Sequence, residues 1–271
     1  MSLNLALIQF NPSKSKKDNV CKACTYISEA ASMGADIVLL QELFNTGYFP
    51  KRPISKENFY LAEPVPGPTI DRVCEEAQNH GIYVIAPIYE EDMTGVYYNT
   101  AVFIGPKGEI IGKYRKNHLP ENLDADEKFY FTPGNLGFPV FMTHKVKVGI
   151  VICADRHYPE TFRILGLRGA ELVLVPSAIG VASMKDYWKI ELCGAAIANM
   201  YYVAGVNYVG GVFWGMSLVV DPTGVIISQA GNEDDEVLMS KLDLDLVQRT
   251  RIGRGWWRDR RPDLYSKYLN E

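Results

Sequence analysis

Cys153 ends an apolar, β-branched run from Val148 to Ile152, and a polar group (Asp155, Arg156, His157) follows at once. Such a run has the mark of a buried strand, and Pro159 suits the start of a helix. A thiol at that tip sits in a strand-to-helix elbow. The sulfur is held rigidly there and the next backbone N–H groups point its way, which favours a thiolate and an oxyanion. A free cysteine is more often one more small buried hydrophobe, so Cys153 by itself settles little. Three other stretches change that. Glu42 follows a second buried run, Asp36 to Leu40; its bland alternative is a salt-bridged structural acid, because an unpaired buried carboxylate is costly. Lys116 and His118 lie in Lys113-Tyr-Arg-Lys-Asn-His-Leu-Pro120, which read blandly is a basic strand edge. Glu127 opens Glu127-Lys-Phe-Tyr-Phe131, otherwise a solvated loop carboxylate. A resting thiol ionises near pH 8.5. A carboxylate that takes its proton and an ammonium that favours its anion would make it a nucleophile.

The elements that must position these groups alternate. Strands are expected at Leu3 to Phe10, Asp36 to Leu40 and Ile82 to Tyr89, with helices at Asp18 to Met33 and Thr69 to Asn79, stopped by Gly34 and Gly81. Tyr97 to Ile104 and Glu109 to Tyr114 form a hairpin-like pair. The order then returns: strand Val146 to Ile152, helix Tyr158 to Leu167, strand Glu171 to Val175, helix Tyr187 to Met200, strand Tyr201 to Asn207, and a pair at Leu218 to Val220 and Val225 to Ser228. Gly34-Ala-Asp-Ile-Val-Leu-Leu matches Gly169-Ala-Glu-Leu-Val-Leu-Val. Two copies of one unit, packed sheet on sheet with helices outside, predict an α/β fold: a four-layer α-β-β-α sandwich with pseudo-two-fold duplication, in one domain over residues 1–271.

Composition bounds the function. The 271 residues are 47% hydrophobic and 22% charged, with net charge −4, which disfavours a general nucleic-acid or membrane-surface role. No apolar run approaches a membrane helix. Five cysteines form no disulfide framework and suit the cytoplasm. The tail, 251–271, with Trp256 and Trp257, is expected to pack on its own body or on a neighbouring subunit. Cys21 and Cys24 have no matching second pair, and no metal or nucleotide motif is present, so no cofactor is expected.

The ordered set resembles the nitrilase superfamily of carbon–nitrogen hydrolases across essentially the whole chain. The resemblance implies the four-layer fold, self-association into dimers or larger assemblies, and a Glu–Lys–Cys triad at Glu42, Lys116 and Cys153. The second glutamate common in the family's site falls on Glu127. The implied reaction is attack of Cys153 on an amide or ureide carbon, with Lys116 and the N–H of Ala154 on the oxyanion. Cys153-Ala-Asp-Arg-His is similar to N-carbamoyl amino acid hydrolases, including β-ureidopropionases. Arg156 is then expected to grip a substrate carboxylate in a fork; its bland alternative is a salt bridge to Asp155 or Glu160. Tyr48, His118 and His157 are further candidates for lining the pocket. Arg258 to Tyr265 instead looks like the tail of N-carbamoylputrescine amidases, so that activity, an aliphatic amidase and an omega-amidase stay open. A Cys–His protease lacks its local signatures, a glutaminase lacks room for an ATP-binding domain, and a silent scaffold is disfavoured by an intact triad.

Overall fold

The computed structural model describes residues 1–121 and 125–268. Its central strands are buried on both faces. In β1 (Ser2–Gln9), Leu3, Leu5 and Leu7 enter one core while Ala6 and Ile8 enter another. In β2 (Ile37–Leu40), Ile37 and Leu39 part from Val38 and Leu40 in the same way. This double burial is why the sequence shows unbroken apolar runs rather than alternation.

Helices α1 (Lys16–Ser32) and α2 (Pro68–His80) connect β1, β2 and β3 (Tyr83–Met93), which are parallel; β4 (Val96–Ile104) and β5 (Ile110–Arg115) add antiparallel. Ser15 caps α1 by accepting from Asp18 N, and Pro68 opens α2. The one-turn α3 (Glu127–Tyr130) precedes β6 (Val140–Met142) and β7 (Lys147–Ile150). Then come α4 (Pro159–Leu167), β8 (Leu172–Pro176), α5 (Lys185–Asn199) and β9 (Tyr202–Val206). A two-residue ribbon, β10 (Val209–Gly210) and β11 (Phe213–Trp214), precedes β12 (Leu218–Val220) and β13 (Ile226–Gln229). Last are β14 (Glu236–Asp243), α6 (Asp245–Arg254) and α7 (Pro262–Tyr265).

The two sheets run β14-β1-β2-β3-β4-β5 and β6-β7-β8-β9-β12-β13. Each has one antiparallel edge strand, three parallel strands and two antiparallel ones, so the expected duplication is visible in the strand order. Leu5, Leu39, Ile85 and Phe103 of the first sheet share a core with Val148, Ile150, Leu172 and Leu174 of the second. Helices α1 and α2 cover the first sheet through Ala23, Ile27, Ile70 and Val73. Leu165 of α4 and Trp188, Leu192 and Ala196 of α5 pack with the second. The architecture is the four-layer sandwich.

Some boundaries differ from expectation. Strands β6 and β14 and helix α6 carry no clear sequence signal, and the expected tail starts inside α6. Trp257 lies over Gly166, where an added Cβ would come within 2.8 Å of its ring. Arg163 and Arg251 stack on the same ring at 5.1 and 5.7 Å. This part of the tail therefore packs on its own chain; residues 269–271 lie outside the described residues. Among the described residues no helix is long and apolar enough to cross a membrane, and all five cysteines are free.

Candidate active site

Four expected residues converge where strands of both sheets end. Glu42 lies two residues past β2, Lys116 follows β5, Glu127 begins α3, and Cys153 follows β7. Ligand sites in α/β proteins favour such carboxyl ends of strands. Glu42 and Glu127 are fully buried and Lys116 nearly so. Lys116 Nζ donates to Glu42 Oε1 at 2.8 Å and to Glu127 Oε1 at 2.7 Å. Glu127 is thus no solvated loop carboxylate. Tyr48 donates its hydroxyl to Glu127 Oε1 at 2.9 Å, and its ring meets Phe213 edge-on at 6.5 Å. The second oxygens of both acids, Glu42 Oε2 and Glu127 Oε2, are buried with no partner among the described residues.

The electrostatics follow from this crowding. Burial lowers the Lys116 pKa, but the adjacent Glu127 and Glu42 carboxylates outweigh it and hold the ammonium well above its ordinary value. Burial raises Glu127 to about 7, Lys116 pulls against it, and the second carboxylate, Glu42, adds to the rise. Burial and then Glu42 push the Cys153 thiol up to about 12, while Lys116 and Arg156 pull it down. The thiol therefore shares one electrostatic environment with Glu42, Lys116, Arg156 and Glu127. Desolvation exceeds what the two cations return, so the elbow alone does not favour the thiolate.

Cys153 adopts φ +47°, the left-handed region that a non-glycine residue rarely occupies. It begins a five-residue 3-10 turn, Cys153–His157, before the helix at Pro159. Ala154 is second in that turn, where an N–H has no acceptor within the turn. Asp155 anchors it: Oδ2 accepts from Tyr114 Oη at 2.6 Å and Ile152 N at 3.0 Å, and Oδ1 accepts from His118 N at 2.9 Å. The Tyr114 bond joins β5 of one sheet to the elbow of the other.

The remaining candidates are placed differently from expectation. His118 Nδ1 lies 2.7 Å from Asp155 Oδ1, and its ring stacks on Tyr158 at 3.6 Å. His157 Nδ1 lies 2.5 Å from Glu191 Oε1. Arg156 is buried; its Nε donates to Glu191 Oε2 at 2.8 Å and its Nη1 to the Cys153 carbonyl at 3.0 Å. Arg156 has a salt bridge, but to α5 rather than to Asp155 or Glu160. Sequence reading gave no role to Asn99, which donates to Glu42 Oε1 at 2.8 Å while its carbonyl accepts from Lys116 N at 2.9 Å. An asparagine beside Thr100 in a largely apolar strand was the available signal. The long-range partners of Asp155 and Glu191, Tyr114, His118, Arg156 and His157, lie 34 to 41 residues away in sequence, beyond the reach of any local pattern.

The family model for carbon–nitrogen hydrolases matches residues 4–252. N-carbamoylputrescine amidase from Solanum lycopersicum is 35% identical, over 98% of this chain and 95% of the relative. A citrullinase from Francisella tularensis is 34% identical, over 100% and 99%. Among solved structures, a carbon–nitrogen hydrolase from Helicobacter pylori superposes with TM-score 0.95 at 31% identity, covering 99% of each chain. An amidase mutant from Nesterenkonia superposes with TM-score 0.81 at 26% identity, over 98% and 97%; the acetamide moiety of fluoroacetamide is covalently added at its active-site cysteine.

Proposed function

The chain belongs to the carbon–nitrogen hydrolase family, and from that premise we propose that Cys153 is the nucleophile of an amidase acting on the carbamoyl or amide end of a small molecule. The observation that carries this reading is the buried trio of Glu42, Lys116 and Glu127 around a thiol raised to about 12. A free thiolate at pH 7 would cost about 7 kcal/mol there. The thiol proton must then leave as the sulfur attacks, so a base in the cavity is required. Glu42 takes that proton while sulfur bonds to the carbonyl carbon. Lys116 and the Ala154 N–H hold the oxyanion, each such donor contributing roughly 3 kcal/mol. As the C–N bond breaks, Glu42 returns the proton to nitrogen and ammonia departs. Glu42 then deprotonates water, which cleaves the thioester (for a ureide the S-thiocarbamate, whose carbamate product falls to amine and CO2) and restores the thiol. Glu42 Oε2 and Glu127 Oε2, without a partner among the described residues, suit the N–H bonds of a primary amide.

On substrate, the relatives act on N-carbamoylputrescine and citrulline by their names, and we take a linear ureide as the substrate class. An N-carbamoyl amino acid is the second reading, favoured by the guanidinium of Arg156 beside the sulfur; it requires a carboxylate to compete with Glu191. A panel of N-carbamoylputrescine, N-carbamoyl-β-alanine, citrulline and aliphatic amides, read by ammonia release, tests both. No release from any of them would end the amidase reading. We further take the protein to be a cytoplasmic homo-oligomer, consistent with its free cysteines and with the exposed Leu167, Tyr187, Ile190 and Trp256.

A further inference from the structure

Helix α5 presents Trp188 and Glu191 three residues apart, hence on one face. Both meet Arg156. The guanidinium carbon lies 5.8 Å from the Trp188 ring centroid, and Glu191 accepts from Nε. Glu191 also holds His157, so its two oxygens grip two consecutive residues of the turn that Cys153 begins. The other edge of the guanidinium faces the nucleophile. Nη1 donates to the Cys153 carbonyl and lies 3.8 Å from Sγ. With Nε and Nη1 engaged, only Nη2 is without a partner among the described residues. A single nitrogen does not make the fork that recognises a carboxylate.

We propose that Glu191 is a positioning residue: it clamps Arg156 against Cys153, so that the guanidinium serves the strained nucleophile rather than the substrate. The physical case is one of sign and place. Cys153 sits in a left-handed conformation that surrounding structure must enforce, and its carbonyl is tethered by a cation that Glu191 and Trp188 keep in position. That cation stands beside the sulfur and favours its anion, together with Lys116 and against Glu42, Glu127 and the other groups of the cavity. Without Glu191, Arg156 keeps the Cys153 carbonyl, the sulfur contact and the indole face but loses the carboxylate that aims it.

This inference rests on Cys153 being the nucleophile, and its test is read partly without any substrate. In the full-length enzyme, the alkylation rate of Cys153 by iodoacetamide is followed by peptide mass spectrometry from pH 7 to 9.5. Cys153→Ala identifies the signal against the four other cysteines. Glu191→Gln and Arg156→Met are expected to slow Cys153 alkylation about tenfold, the equivalent of one pKa unit. Both should lower kcat about tenfold on the best panel substrate with KM changed less than about twofold, and Glu191→Asp should recover most of the loss. Unchanged or faster alkylation in both variants overturns the clamp. So does a rise in KM confined to carboxylated substrates, which would return Arg156 to substrate binding. If Glu191→Gln does not fold, the Arg156→Met rate decides alone. A parent enzyme that releases no ammonia from the panel would count against the amidase reading, while the alkylation rates would still decide the clamp.

Discussion

Lys116 Nζ lies 2.8 Å from Glu42 Oε1, and neither side chain reaches solvent. The same ammonium lies 2.7 Å from Glu127, so one buried cation separates two buried anions. Removing one member of a buried ionic set leaves uncompensated charge, at a cost of about 3–5 kcal/mol. Lys116→Met should therefore lower the thermal midpoint clearly and cut turnover by at least about a hundredfold, through loss of an oxyanion donor. Calorimetry and ammonia release check the two effects. A variant as stable as the parent would mean that the carboxylates do not depend on the lysine.

Glu42 carries a different demand. With the thiol raised to about 12, attack without a base costs about 7 kcal/mol at pH 7. Glu42→Gln keeps the shape of the side chain and removes the proton acceptor. Acylation should fall by about three orders of magnitude or more, since a positioned base typically contributes 10²–10⁴-fold. Single-turnover measurement of the thioester checks this, and retention of parental acylation would assign the base elsewhere.

Glu127 sets the pH dependence. Burial brings its pKa to about 7 from an ordinary 4.5. Below pH 7 it becomes neutral and its ion pair with Lys116 is lost, so kcat/KM should rise with pH through about 7. Stability should move the other way. The unfolded chain ionises this group near 4.5, so between 4.5 and 7 the folded form holds a proton that the unfolded form does not. Its contribution is present below 4.5 and is lost as pH rises to 7. A pH–rate profile beside a pH series of unfolding free energies reads both; a flat rate from pH 5 to 8 removes Glu127 as the titrating group.

Tyr48 tunes that same carboxyl. Its hydroxyl donates at 2.9 Å to Glu127 Oε1 and so favours the anion. A buried hydrogen bond to a charged group is worth roughly 1.5–3 kcal/mol. Tyr48→Phe should lower kcat/KM about tenfold and move the acid limb of the profile above 7. An unmoved limb would show that the hydroxyl does not act on Glu127.

Much of this was legible in sequence for one physical reason. Glu42 and Cys153 close apolar runs that are buried on both faces, and Lys116 closes a strand that lies between them in the chain, so strand ends announced the site. What was hidden is pairwise. Edge strands β6 and β14 have an outer side left open, and their mixed patterns do not read as buried. The salt-bridge partner of Arg156 is Glu191, a helix away, and no local pattern reports such a partner. Burial of the Cys153 thiol is likewise a property of the whole cavity, not of the elbow.

Asp155 offers the sharpest test of how the elbow is held. It receives Tyr114 Oη and Ile152 N on one oxygen and His118 N on the other, with His118 Nδ1 2.7 Å away. Asparagine preserves the volume but turns one acceptor into an NH₂ that faces donors. At least one bond to a charged acceptor is lost and another donor stays buried without a partner, together about 3 kcal/mol or more. The link between the sheets through Tyr114 loosens, and the left-handed φ of Cys153 is then free to relax. Asp155→Asn should lose both stability and kcat, whereas Tyr114→Phe, which removes the bond to Asp155 and the one accepted from Asn117 but leaves the elbow's other ties intact, should lose stability by about 1.5–3 kcal/mol and retain most of kcat. Denaturant unfolding and single-turnover acylation, measured on both variants, separate the two roles. Equal kcat losses in the two would place the strain of the nucleophile under Tyr114 rather than Asp155.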